Sequence, residues 1–174
     1  KARFYMKKAG QLDHTFNLHS AEAAFGGATD AAILIKEHAK KAGIKINVVR
    51  EPSDGYWSNV WMKKEWCMCY WGGRPVEDMM FSVAYADGAP WNDTHWKNKR
   101  FNELLVAARA ELNTEKRRRL YYDMQEICSN DGGTVVPMFN QMVTANNSKK
   151  VAHGPISGHM AMDGMRIHER WWMA

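Results

Sequence analysis

The chain has 174 residues, 45% of them hydrophobic and 25% charged, which is the composition of a globular and not of a disordered chain. A formal charge of +5, from 24 Lys and Arg against 19 Asp and Glu, is only mildly basic and interspersed, so it permits an acidic partner without demanding nucleic acid. No stretch approaches the roughly 18 consecutive apolar residues of a membrane span, and no signal peptide is present before Lys1, so the chain reads as a mature or truncated piece.

In chain order, Arg3–Met6 reads as a short strand and Thr15–His19 as a half-buried one, with polar and apolar residues alternating. After Gly26-Gly27, Ala31, Leu34, Ile35, His38, Ala39 and Ala42 recur at helical spacing, and Gly43 stands at the usual C′ position. Ile44–Arg50 alternates again. Strand, glycine-ended helix and strand predict a βαβ crossover. Ser53 is placed to cap a helix from Asp54 to about Lys63, with Tyr56, Trp57, Val60 and Trp61 as its apolar face. Trp66–Trp71 then reads as an apolar strand broken at Gly72-Gly73.

A turn at Gly88-Ala89-Pro90 carries Trp91, Asn92 and Asp93. Two helices follow. One has Phe101, Leu104, Leu105, Ala108 and Leu112 on a face. The other is capped by Asn113 or Thr114 and shows Leu120, Tyr121, Met124, Ile127 and Cys128. Thr134–Phe139 reads as a strand with Pro137 near its edge or end, Met142–Ala145 as extended, 146–165 as loop, and Arg166–Trp172 as a return to strand.

Recognisable catalytic chemistry is missing. Gly26-Gly27 and Gly132-Gly133 lack the spacing of a phosphate loop, and there is no GxSxG elbow. His14, His19, His38, His95, His153, His159 and His168 never form HxxxH or HExxH. Cys67 and Cys69 share one face of a strand, are badly placed to bridge, and lack two further ligands at zinc-site spacing. Glu77-Asp78 and Asp93 could serve as paired carboxylates, but adjacent acids at a helix start also complement its dipole. The run Glu115–Arg119 reads as a solvated first turn. The sequence therefore predicts no catalytic residue, no metal and no cofactor, and a protein that is not an enzyme.

Four pieces in order resemble the peptide/nickel-type (family 5) extracellular solute-binding proteins of bacterial ABC importers, specifically their C-terminal lobe. They are the helix and strand 31–49 leading to Tyr56-Trp57; Met68-Cys69-Tyr70-Trp71-Gly72-Gly73 followed by Asp78; the helix pair from Phe101 through Ile127; and Val135-Val136-Pro137-Met138-Phe139. The resemblance implies an α/β, two-lobed periplasmic-binding-protein (type II) fold of which this chain is one lobe, without its N-terminal lobe and signal peptide. It implies a periplasmic or lipid-anchored protein that delivers a small-molecule ligand to the ABC permease, touches the membrane only through the permease or an anchor, and binds no nucleic acid. A basic nucleic-acid-binding domain is the alternative.

On this reading the ligand-binding residues are Tyr70, Trp71, Gly72, Gly73, Arg74, Trp91 and Asn92. The glycines offer unshielded backbone, and Trp71 and Trp91 offer aromatic platforms. Trp57 and Trp61 read as core, and Trp66 as core or lobe packing. Peptide-binding members of the family place an aspartate three residues after the strand tryptophan, against the peptide ammonium; here that position is Arg74. Its fork suits a carboxylate, phosphate or sulfonate, unless it pairs with Glu77 or Asp78.

Overall fold

A computed structural model describes residues 1–158 and 160–174. The chain forms two compact units, Lys1–Trp71 and Gly72–Ala174, each with its own apolar core.

The first unit is built on a parallel βαβ crossover. β1 (Thr15–Ser20) pairs in parallel with β2 (Lys45–Arg50), from Thr15 opposite Lys45 to Ser20 opposite Arg50. α2 (Ala28–Lys41) connects them, after a short N-terminal α1 (Ala2–Lys8). The Glu22 carboxylate accepts from the Gly27 N–H at 2.7 Å and the Thr29 N–H at 3.4 Å, closing the positive end of α2. At its other end Gly43 takes φ +77°, the left-handed conformation that stops a helix. Ala24, Ala28 and Ala32 are fully buried against Leu18 and Ile46, so small side chains let α2 lie close on the sheet.

Tyr56 anchors the same core. It opens α3 (Tyr56–Asn59), and its hydroxyl donates to the Met68 carbonyl at 2.7 Å and lies 3.3 Å from that of His19. The strand expected over Trp66–Trp71 is reduced to one parallel bridge, His19 to Cys67. His19 N–H donates to Trp66 O and Met68 N–H to His19 O. Beyond that point β1 has ended at Ser20 and turned at Ala21–Ala24, so the ladder has no partner. The Tyr56 hydroxyl takes the Met68 carbonyl instead.

Other expectations in this unit are corrected. Arg3–Met6 is helical within α1: it has no strand to pair with, and Lys7 and Lys8 suit a helix C-terminus. The helix foreseen from Asp54 to Lys63 keeps only Tyr56–Asn59, with Gly55 rather than Ser53 at its start, and continues as turns to Lys64. Its inward pair is Tyr56 and Val60, which leaves Trp57 40% exposed rather than in the core.

The second unit begins with α4 (Glu77–Met80), which runs into a π-helical turn at Phe81–Tyr85. α5 (Lys99–Ala110) and α6 (Thr114–Asp131) form a hairpin, each capped by an asparagine side chain. Asn98 accepts from Phe101 N–H at 2.9 Å and Asn113 from Lys116 N–H at 3.0 Å. Phe81, Phe101, Leu104, Leu105, Ala108 and Met124 form the core. Leu112, foreseen on the α5 face, lies past the helix end and is exposed.

Residues 134–145 form no strand, because among the described residues no neighbouring strand supplies a ladder. The chain ends in β3 (Val151–His153), α7 (Ala161–Met165), α8 (Ile167–Arg170) and β4 (Trp171–Met173), with β3 and β4 antiparallel. The strand foreseen over 166–172 is thus mostly α8. In α7, Met162, Asp163 and Gly164 are left-handed. Buried Asp163 holds them by accepting from Ser157 N–H, Arg170 and the Trp171 indole.

Tyr56→Phe is expected to lower stability by about 1 kcal/mol, since it strips a buried carbonyl of its donor. Urea unfolding followed by fluorescence checks this, and an unchanged midpoint would show that the phenol hydroxyl contributes nothing.

Candidate ligand-binding site

In open α/β sheets, ligands bind beyond the carboxyl ends of the strands. In the first unit β1 and β2 end at Ser20 and Arg50, and Glu51 N–H donates to Ser20 O at 2.8 Å. Immediately beside this turn His19 Nδ1 lies 2.6 Å from Glu51 Oε1, with both side chains mostly buried. No motif flags the pair, because its members are 32 residues apart.

Tyr70 follows the bridge and is 61% exposed. Its ring meets Trp57 edge-on at 5.6 Å, and Trp57 meets Trp61 at 5.9 Å and Tyr56 at 5.5 Å. An exposed aromatic cluster therefore stands on one buried tyrosine. Trp57 belongs to it although helical spacing assigned it to the core. The buried anchor of α3 is its first residue, and the register of one short turn cannot be read from spacing alone. Burial raises the Tyr56 phenol above its ordinary pKa, so it remains a neutral donor. Trp71 is half-buried at the end of the unit.

Gly72, Gly73, Arg74, Trp91 and Asn92 belong to the second unit. Arg74 is half-buried, and its Nη1 donates to Gly72 O at 2.8 Å and lies 3.4 Å from Gly73 O. Its guanidinium thus folds back on the two carbonyls that the sequence offered to a ligand. Among the described residues it has no carboxylate partner, so the foreseen pairing with Glu77 or Asp78 is not made.

Asp78 is committed elsewhere. Arg109 grips it with Nε at 2.7 Å from Oδ1 and Nη2 at 3.2 Å from Oδ2, and the Tyr121 hydroxyl lies 3.3 Å from Oδ1. Ser82 Oγ bonds both the Asp78 carbonyl and Arg109. Hydrogen bonds from Arg109 hold the Asp78 carboxyl below the usual carboxylate range, while burial raises the Tyr121 phenol. An acid fixed as an ionised acceptor makes a poor proton donor; it ties α4 to α5 and α6.

Trp91 projects from the Gly88 turn, nearly half exposed. Asn92 is buried. Its amide donates to Trp96 O at 2.7 Å and lies 3.3 Å from Ala86 O, and its oxygen accepts from Thr94 Oγ1 at 3.3 Å. These bonds hold the loop that presents Trp91. Asp131 secures the loop's far end, accepting from Trp96 Nε1 at 3.2 Å and Asn98 Nδ2 at 3.1 Å.

The basic run on α6 is engaged locally. Arg118 pairs with Glu115, Arg119 with Asp123, and Arg117 donates to Glu111 O. Among the described residues no disulfide joins the three cysteines, and burial pushes the Cys128 thiol up to about 11. Among the described residues no cluster of three His, Cys, Asp or Glu could hold a metal, and no helix is long and apolar enough to cross a membrane. His159 lies outside the described residues.

The first unit holds a parallel βαβ crossover and the second a capped helix hairpin, an α/β arrangement. Solved structures bear this out. CtaP, an ABC transporter substrate-binding protein from Listeria monocytogenes, matches with a TM-score of 0.64 at 15% identity, over 75% of this chain and 27% of its own. DppA, an ABC transporter-associated periplasmic binding protein from Helicobacter pylori in complex with the peptide STSA, matches at 0.61 and 19%, over 75% and 26%. NikZ from Campylobacter jejuni, in complex with Ni(L-His), matches at 0.55 and 21%, over 66% and 24%. No family model and no curated protein matches the chain. The chain thus has the fold of a portion of the two-lobed, type II periplasmic binding proteins, and resembles the family 5 ABC substrate-binding proteins in structure. It spans about a quarter of the length of these solved proteins.

Asp78→Asn should cost about 1 kcal/mol at neutral pH, the screened worth of a partly exposed bidentate pair. Because the folded-state pKa of Asp78 is depressed, this stability is fully present above the unfolded value of about 3.9 and is lost as pH falls through the lower folded value. Urea midpoints of wild type and variant should therefore converge on acidification. A gap that persists to the lowest pH at which both fold would show that the ion pair is not its source.

Proposed function

We propose that residues 1–174 are the C-terminal lobe of the solute-binding component of an ABC importer, which captures a small solute outside the cytoplasmic membrane and delivers it to a permease without chemistry. The observation that carries this is the match, over three quarters of the chain, to solved structures of ABC transporter binding proteins. The complete protein adds an N-terminal lobe. Tight capture needs both, because closure of two lobes excludes water from the ligand.

In this reading Tyr70, Trp71, Gly72, Gly73, Arg74, Trp91 and Asn92 serve the ligand in different ways, and Trp57 joins them. Tyr70 and Trp57 offer ring edges and faces, Trp91 a second aromatic surface, and Asn92 holds Trp91 in place. Arg74 is the polar determinant. A carboxylate or phosphonate-like group accepts from its remaining N–H groups, while Nη1 keeps Gly72-Gly73 in shape. A free peptide ammonium would be repelled. The solute class is therefore anionic: an organic acid or an opine-like conjugate of sugar and amino acid. Nucleic acid is the weaker reading, since Arg117, Arg118 and Arg119 are spent on their own helix and its flank.

A thermal-shift screen of the full-length protein against organic acids, opine-like conjugates and short peptides, followed by calorimetry, tests this. Arg74→Asp should weaken binding of an anionic hit at least tenfold, about 1.4 kcal/mol. Undiminished affinity for that hit would end the assignment of Arg74, and a preference for free peptides would end the anionic class. Trp57→Ala should weaken the same ligand while leaving the urea midpoint nearly unchanged, because its ring lies outside the core.

A further inference from the structure

Residues 160–165, Met160-Ala161-Met162-Asp163-Gly164-Met165, hold three of the chain's 12 methionines. Apolar side chains ordinarily turn inward and acids outward. Here the order is reversed: Asp163 is buried, whereas Met160 is 40%, Met162 45% and Met165 58% exposed. The backbone enforces the reversal. Met162, Asp163 and Met165 are left-handed, with φ of 52°, 56° and 65°, although none of them is glycine. Such conformations cost free energy and persist only where their surroundings impose them. The Asp163 carboxylate does so, accepting from Ser157 N–H at 2.6 Å, Arg170 Nε at 2.8 Å and the Trp171 indole at 3.0 Å. An acid drawn inward thus fixes a turn that holds thioethers outward.

The same turn gathers the sulfur-bearing side chains. Gly164 N–H donates to Met160 O at 3.3 Å and Arg166 N–H to Met162 O at 3.1 Å, so 160–166 closes a helical turn. Residues three apart in such a turn share a side, which sets Met162 beside Met165. Met160 stands at the turn's start, and its unbranched chain has three rotatable bonds with which to reach across. Gly164, stacked on Met160 by that hydrogen bond, carries no side chain. Every large apolar residue from 157 to 166 is a methionine. A surface built only for apolar contact would be served equally by leucine or isoleucine; sulfur at all three positions is what a soft cation requires. Thioethers select Cu(I), while zinc and nickel favour imidazole and calcium favours carboxylate and carbonyl oxygen. The acid of this turn, Asp163, is already spent. Arg166 pairs with Glu169 and Arg170 with Asp163, so an incoming monovalent cation meets no unbalanced arginine. We propose that Met160, Met162 and Met165 form a surface site for a soft monovalent cation, Cu(I), held by their three thioether sulfurs.

The probe is Ag(I), which has the charge and softness of Cu(I) but undergoes no redox chemistry under these conditions. It is added to the full-length protein, isotopically labelled at its methionine methyl groups, after the thiols have been blocked with a maleimide. By NMR the methyl resonances of Met160, Met162 and Met165 should shift together and saturate, while Ni(II) leaves them in place. Cu(I) affinity is then measured by competition with a chromophoric chelator. Loss of even an outer-shell partner costs about 10- to 100-fold in metal affinity, so Met162→Leu with Met165→Leu should weaken Cu(I) by about tenfold or more. Leucine keeps the volume and apolarity of methionine, so circular dichroism should be unchanged, and a role in apolar contact alone would survive this double variant. Met79→Leu, at an exposed methionine of α4, should leave the affinity as it was. Methyl groups that do not move with Ag(I), shifts spread evenly over all exposed methionines, or undiminished Cu(I) affinity in the double variant would each overturn the assignment.

Discussion

The Tyr56 hydroxyl, set against the carbonyls of Met68 and His19, is the contact on which the first unit depends. β1 and β2 are joined by α2 and by a full parallel register, so they need little help. The third segment has only the His19–Cys67 bridge. Without the phenol, Met68 would hold a buried carbonyl that lacks this donor, and the exit of the chain from the sheet would rest on the backbone bonds of the His19–Cys67 bridge. That exit point sets Tyr70 beside Trp57. A buried hydrogen bond thus positions an exposed aromatic surface, and burial, by keeping the phenol protonated, keeps the donor in place.

The second unit uses charge for the same end. The Asp78 carboxylate takes both forks of Arg109 and the Tyr121 hydroxyl, drawing α4, α5 and α6 together around Phe81 and Phe101. Among the described residues Arg74 has no carboxylate partner, and its Nη1 donates to the Gly72 carbonyl behind it. In both units the polar groups nearest the candidate residues shape the backbone first. Asn92 is the clearest case: every bond it makes holds the loop, and Trp91 is what the loop presents.

Much of the fold was legible because it is local. Alternation gave β1 and β2, three-and-four spacing gave α2, α5 and α6, and Gly43, Asn98 and Asn113 stand where helix ends need them. The failures share a cause. Arg3–Met6, Trp66–Trp71 and Thr134–Phe139 all have strand composition, but a strand exists only where a neighbour pairs with it. One became a helix, one a single bridge, and one an uncovered segment. Of the candidate residues, the sequence picked out Tyr70, Arg74 and Trp91 by type and position. It missed Trp57, and it missed the His19–Glu51 pair, because one depends on the register of a single turn and the other on two strand ends meeting.

By itself the sequence determined the βαβ order and the capped hairpin, since each depends on residues within a few positions of one another. The tertiary structure alone decided which aromatic is buried, which acid is spent, and which strand-like segment remains unpaired. Those outcomes are competitions among distant groups for one donor, one cation or one ladder, and a linear pattern carries no record of who wins.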